Sequence, residues 1–170
     1  MGDVLGMAGR NTVIYLIGSL RNPRVPRVAA YLRSHEYEVF DDWYAAGPEA
    51  DDYWQAYETQ RGHTYAQALQ GYAAKHVYHY DLHHLQRADI VILLLPVGKS
   101  GHLEFGWALG TGKPGYICLD TYVPDRYDVM YCFATAVCHT EEDLLYALQK
   151  TENRDIYDTT VVTFSETKAV

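Results

Sequence analysis

Long apolar runs are the first thing this chain lacks. Its strongest one, Ile90 to Leu95, falls far short of the roughly 20 residues a membrane-spanning helix needs. The first eleven residues contain Asp3 and no continuous apolar stretch, which argues against a secretory signal. Basic charge is scarce too: 14 Lys and Arg against 22 Asp and Glu leave a net charge of -8 and a pI near 5.4. This excludes charge-driven binding to duplex nucleic acid or an anionic membrane, but not capture of a small nucleotide by a local loop. Cysteine is limited to Cys118, Cys132 and Cys138, with no CxxC pair and no even framework. Plain thiols in a reducing, cytoplasmic setting are therefore expected. A GxGxxG dinucleotide fingerprint is also missing, because the first strand-to-helix turn reads Gly18-Ser19-Leu20-Arg21-Asn22. No cofactor is expected.

What the chain does have is 48% apolar residues, 21% charged ones and enough length, 170 residues, for one domain with a sizeable core. Residues 1–11 read as a flexible leader. Thr12 to Ile17 is a β-branched and aromatic run that stops at Gly18, predicting a buried first strand. Pro23 to Ser34 carries Val25, Val28, Ala29 and Leu32 at helical spacing. Glu38 to Trp43 predicts a second strand, ending in Asp41, Asp42 and Trp43. Residues 44–77 form a polar, aromatic and helical insertion broken near Gly62 and Gly71, and a helix from Tyr78 to Arg87 leads into a third strand.

Gly115 to Leu119 and Thr135 to Cys138 predict the last two strands. Thr140 opens a final helix to Lys150 with a capping-box pattern. The tail, 151–170, is polar apart from Thr159 to Phe164, and is left open between a partner-binding arm, an edge strand and disorder. Strands alternating with helices imply a flavodoxin-like, three-layer α/β fold with a five-stranded parallel sheet, formed by residues 12–150 as one domain.

The chain is organised around Ala88 to Pro114: a buried strand, a glycine-bearing turn (Gly98-Lys99-Ser100-Gly101) and a helix whose first turn is expected to hold Glu104. Parallel sheets place ligand sites at such corners. A carboxylate fixed as the anion by the helix N-terminus can act as a nucleophile toward an anomeric carbon. Acids also favour helix starts for purely local reasons, so Glu104 alone does not decide the matter. Asp81, on the helix before the third strand, can protonate a leaving group if its pKa is raised; otherwise it is a solvated acid facing Arg87 or a histidine.

His79 and His83 stand at i,i+4, but no third ligand has convincing spacing, and no metal is expected. Gly98, Lys99, Ser100 and Gly101, joined by Gly18, Ser19 and Arg21 of the first loop, can offer N–H groups, hydroxyls and cations to an anion. The plainer alternative is an ordinary turn. Trp43, Tyr44, Tyr53, Trp54, Tyr57 and Tyr65 can stack a planar base or simply pack as a lid. Asp42 and Trp43, closing the second strand, join the substrate-binding candidates.

In combination these pieces resemble the nucleoside 2-deoxyribosyltransferase superfamily, including the 2'-deoxynucleoside 5'-monophosphate N-hydrolases. The resemblance spans about Thr12 to Thr140. It rests on YLIGSLR at Tyr15 to Arg21, on Asp81 eight residues before Asp89, on GHLEFGWA at Gly101 to Ala108, and on the GKP stop at Gly112 to Pro114. It implies a retaining double displacement at C1' of a nucleoside or nucleotide, with Glu104 as nucleophile, Tyr15 beside it and Asp81 near the base. It further implies a homo-oligomer, with a neighbouring subunit's loop completing the pocket; Asp128 and its neighbours fall there. Two positions depart from the pattern. Gly98 stands six residues before the nucleophile, where transferases carry Asp and hydrolases Ser, and Asp128 replaces a phosphate-binding serine.

The leading expectation is therefore cleavage of an N-glycosidic bond, with transfer to a base or to water. Its rivals are a non-catalytic nucleotide-binding module and an NAD glycohydrolase. A flavodoxin-like electron carrier is disfavoured, because the first loop lacks a Ser/Thr-rich phosphate cradle.

Overall fold

The computed structural model describes residues 11–120 and 128–152. The leader (apart from Asn11) and the patch from Thr159 to Phe164 lie outside the described residues.

Five apolar segments form the strands: β1 (Val13–Ile17), β2 (Glu38–Phe40), β3 (Ile90–Leu94), β4 (Gly115–Cys118) and β5 (Ala136–Cys138). All neighbouring pairs are parallel, and the order β2-β1-β3-β4-β5 is the flavodoxin-like one. Strands buried on both faces read as unbroken apolar runs, which is why VIYLI and IVILL show no polar alternation.

The alternation instead divides the two faces of the core. Ile14, Leu16, Ile92, Leu94 and Tyr116 point to one side, together with Val25, Val28 and Leu32 of α1 (Arg24–Arg33) and Leu144 and Leu148 of the last helix. Val13, Tyr15, Ile17, Val91, Leu93 and Ile117 point to the other, where Leu85 and Phe105 pack.

The second strand is shorter than its sequence suggests. It ends at Phe40, and Asp42–Ala46 wind into a 3-10 turn. Arg33 reaches over to the Val39 carbonyl and the Asp41 carboxylate, fixing where the chain turns away. The insertion is helical as expected, with α2 (Ala50–Gln60) and α3 (Tyr65–Leu69) separated at Gly62, whose φ of 76° suits glycine. A capping box between Thr64 and Gln67 starts α3. Helix α4 runs unbroken from Tyr72 to Arg87, so its first turns and the segment bearing Asp81 are one rod.

Helix α5 (Lys99–Gly110) follows β3, and α6 (Glu141–Glu152) is the last described element, with Thr140 and Asp143 capping each other. Among the described residues no helix is long and apolar enough to cross a membrane. Cys118 and Cys138, in register on β4 and β5, are buried free thiols, and Cys132 is exposed.

Candidate functional site

Three side chains that lie far apart in the sequence converge on the face of the sheet that α4 and α5 cover. Tyr15 comes from the middle of β1 and is 1% exposed. Glu104 comes from α5 and Asp81 from α4, the two helices covering the same face of the sheet. The Tyr15 hydroxyl donates a hydrogen bond to the Glu104 carboxylate.

The position of Glu104 corrects one expectation. It is not in the first turn of α5 but in the second, since the helix begins at Lys99. Backbone N–H groups at a helix start stabilise anions only within the first turn or so. Burial accordingly decides the protonation of Glu104. Desolvation, reinforced by the nearby Asp81 charge, raises its pKa to about 7, with the Tyr15 hydrogen bond pulling the other way. Asp81 is lifted to about 6 by desolvation. It is not the solvated acid of the plainer reading: its Oδ1 is buried without a hydrogen-bond partner. Burial, followed by the two carboxylates, also raises the Tyr15 phenol, which therefore stays a hydrogen-bond donor.

Aromatic rings surround the pair. Phe40 of β2 stands 5.1 Å from Tyr15 and stacks on His84 at 3.8 Å, and Tyr80 completes the group. Burial lowers the pKa of His84, favouring the neutral ring. The available signal was their position: Phe40 ends a strand, and Tyr80 and His84 flank Asp81 by one and three residues on α4.

The other candidates divide clearly. Trp43 donates from its indole to the Leu16 carbonyl, packs against both core clusters and lies over Gly18, where a Cβ would meet Val25 at 2.8 Å and Trp43 at 3.3 Å. Close packing, rather than a positive φ, therefore calls for glycine at position 18. Asp42 is exposed nearby. Gly101 is similarly squeezed, with Val97 2.4 Å and Ile17 3.0 Å from a built Cβ, whereas Gly98 faces open space.

Ser19, Arg21, Asn22, Pro96, Val97 and Gly98 line a recess of about 190 Å³ between the first and third strand-helix loops. Lys99 and Ser100 are exposed at the start of α5. Arg21 is not free within that recess but pairs with Asp52 of α2 at 2.6 Å. A larger hollow, about 510 Å³, lies along α2 against Asp52, Gln55, Ala56, Thr59 and Gln60. It holds none of the three convergent groups, so chemistry rather than volume locates the site.

Asp128 is exposed and caps the 3-10 turn Val129–Phe133 by accepting from Met130 N. Tyr44 packs on the core, while Tyr53, Tyr57 and Tyr65 are exposed on the insertion and form no stacked wall. Among the described residues no three His, Cys, Asp or Glu cluster as a metal site.

No protein-family model matches this chain, and no curated protein matches it by sequence. Among solved structures it is similar to the 2-deoxyribosyltransferase of the psychrotolerant bacterium Bacillus psychrosaccharolyticus. That similarity has a TM-score of 0.54 at 19% identity, over 85% of this chain and 93% of the other. A second similarity, to the CMP N-glycosidase of Clostridium botulinum, has a TM-score of 0.48 at 15% identity, over 81% of this chain and 99% of that one. The chain has the flavodoxin-like fold of a nucleoside 2-deoxyribosyltransferase.

Proposed function

We propose that this protein is an enzyme that cleaves the N-glycosidic bond of a nucleoside or nucleoside 5'-monophosphate through a glycosyl-enzyme intermediate on Glu104. The observation carrying this reading is the convergence of Tyr15, Glu104 and Asp81 in one partly buried corner, with both carboxyl pKa values raised. Perturbed acids in a crevice mark functional sites more often than ordinary surface ones. A transferase on the same fold supports the direction of the reading.

In this reading the Glu104 carboxylate attacks C1' while the departing base takes a proton from Asp81 or from water. Water or a second base then attacks C1' and releases Glu104. Burial, with the nearby Asp81 charge, lets Glu104 keep its proton more readily than an ordinary glutamate does. Attack requires that proton to leave Glu104, either to Asp81 as substrate excludes water or to solvent. Tyr15 fixes the carboxylate throughout, and the Phe40, Tyr80 and His84 rings form an apolar wall for the base.

In this reading the recess of Ser19, Arg21 and Gly98 would receive a 5'-phosphate. An exposed ion pair such as Arg21–Asp52 contributes only about 0–1 kcal/mol, so a 5'-phosphate can recruit Arg21.

The same reading takes the protein as a homo-oligomer. Leu103 and Trp107 of α5 and Val129, Met130 and Phe133 of the adjoining 3-10 turn leave an apolar surface beside the site, and His102 joins the two segments through Tyr131. Light scattering coupled to size exclusion tests this; a monomer at micromolar concentration rejects it.

The decisive experiment incubates the protein with a panel of nucleosides and 5'-monophosphates and follows free base by chromatography. Glu104→Ala should abolish release while its circular dichroism is retained. Base release unchanged in that variant refutes the nucleophile, and binding without release in the wild type points instead to a non-catalytic nucleotide module. Adding a second base to active mixtures separates transfer from hydrolysis.

A further inference from the structure

Three consecutive carbonyls at the end of β3 are held by two side chains from the start of the first helix. Asn22 Nδ2 donates to Leu94 O and to Pro96 O, each at 3.3 Å, and Arg24 Nη1 donates to Leu95 O at 2.9 Å. Arg24 Nη1 also reaches Leu119 O at 3.1 Å, past the end of β4.

Asn22 is 2% exposed. Both of its N–H donors are used, and its Oδ1 accepts from Arg24 N at 3.0 Å. Its own backbone closes the first loop, donating to Ser19 O and accepting from Val25 N. A buried amide satisfied at every position is costly to remove and rigid while present.

The location of this clamp gives it a further consequence. Residues 94–96 lead directly into Gly98 and the first turn of α5, which is pressed against Val97 and Ile17 at Gly101. The clamp thus ties the loop after Tyr15's strand to the loop that launches Glu104's helix. The Tyr15–Glu104 hydrogen bond spans the same two segments.

We infer that Asn22 is a positioning residue, holding the β3–α5 loop against the β1–α1 loop so that Glu104 stays in hydrogen-bond reach of Tyr15. Catalytic groups misplaced by an ångström lose on the order of 100-fold in rate. The inference rests on the proposed role of Glu104 for its effect on turnover, but not for its effect on geometry.

The test therefore has two arms. In the first, the Glu104 carboxyl is titrated by NMR in protein carrying [13C]glutamate, its signal identified by its loss in Glu104→Gln. The groups facing it are Tyr15 from β1 and Asp81 from α4. Releasing the clamp in Asn22→Ala loosens the Tyr15 bond, which lowers the Glu104 pKa, so the titration midpoint should rise. Leu148→Ala, a core truncation on the opposite face of the sheet, should lower the melting temperature while leaving that midpoint in place. In the second arm, base release by Asn22→Ala should fall about tenfold or more in kcat with KM changed less than threefold.

An unmoved Glu104 midpoint in Asn22→Ala, or an equal movement in Leu148→Ala, overturns the positioning role. A wild-type protein that releases no base defeats the functional reading alone, since the NMR arm still decides the geometry. Should Asn22→Ala fail to fold, Asn22→Leu keeps the branching at Cγ without donors and carries both arms with the same expected and overturning results.

Discussion

At the scale of single residues, the informative contrast is between the two carboxyls and the phenol that share one corner. Tyr15→Phe removes a hydrogen bond that favours the Glu104 anion. The Glu104 pKa should then climb above about 7, and the acidic limb of the kcat/KM profile should shift to higher pH. Asp81→Asn works in the opposite sense. Its negative charge is one of the causes that raise Glu104, so neutralising it should move the acidic limb to lower pH while lowering kcat, because in the proposed reaction Asp81 is the proton donor to the leaving base. Both shifts are read from pH-rate profiles; movement of both variants in one direction would contradict the assigned electrostatics.

At the scale of elements, α5 and the loop feeding it set the tolerance for change. Gly101→Ala puts a Cβ 2.4 Å from Val97 and should cost about 1–3 kcal/mol in denaturant unfolding, with a matching loss of activity. Gly98→Ser, three residues earlier, faces open space at the N-cap of α5 and should be neutral or stabilising by a few tenths of a kcal/mol.

This element also shows what the sequence made legible. The strands and their parallel order followed from apolar runs such as IVILL and from the glycine-proline stops, because strands buried on both faces must be apolar throughout. The three candidate residues came from a family pattern, not from periodicity, and their roles are part of the proposal. What could not be read was how deeply Glu104 is buried, since that depends on Tyr15 arriving from another strand. The extent of α4 was equally obscure. Leu85 is its one residue reckoned fully buried, so no apolar stripe marks where the insertion stops and the rod begins. Asn22 and Arg24 were missed for a related reason: their partners are backbone carbonyls, which have no sequence signature.

At the scale of the whole molecule, two buried acids link stability to pH. Each carboxyl has its folded pKa raised above its ordinary value, Asp81 to about 6 and Glu104 to about 7. The folded state therefore holds protons more tightly than the unfolded chain does. Their contribution is fully present below about pH 4 and is lost as pH rises through the folded values. The melting temperature should fall between about pH 4.5 and 7.5, and Glu104→Gln should flatten that slope. A slope identical to wild type would mean that Glu104 ionises as freely in the fold as outside it.

The placement of Trp43 carries an optical consequence. Its indole is pinned to the Leu16 carbonyl, against Gly18 and beside the mouth of the proposed pocket, whereas the other two tryptophans, Trp54 and Trp107, sit on α2 and the outer side of α5. Replacing those two with phenylalanine leaves a single emitter whose quantum yield and emission maximum respond to whatever enters the crevice. Occupancy can then be followed by fluorescence within the dead time of a mixing device, before any glycosidic bond breaks and even for compounds whose bond never does.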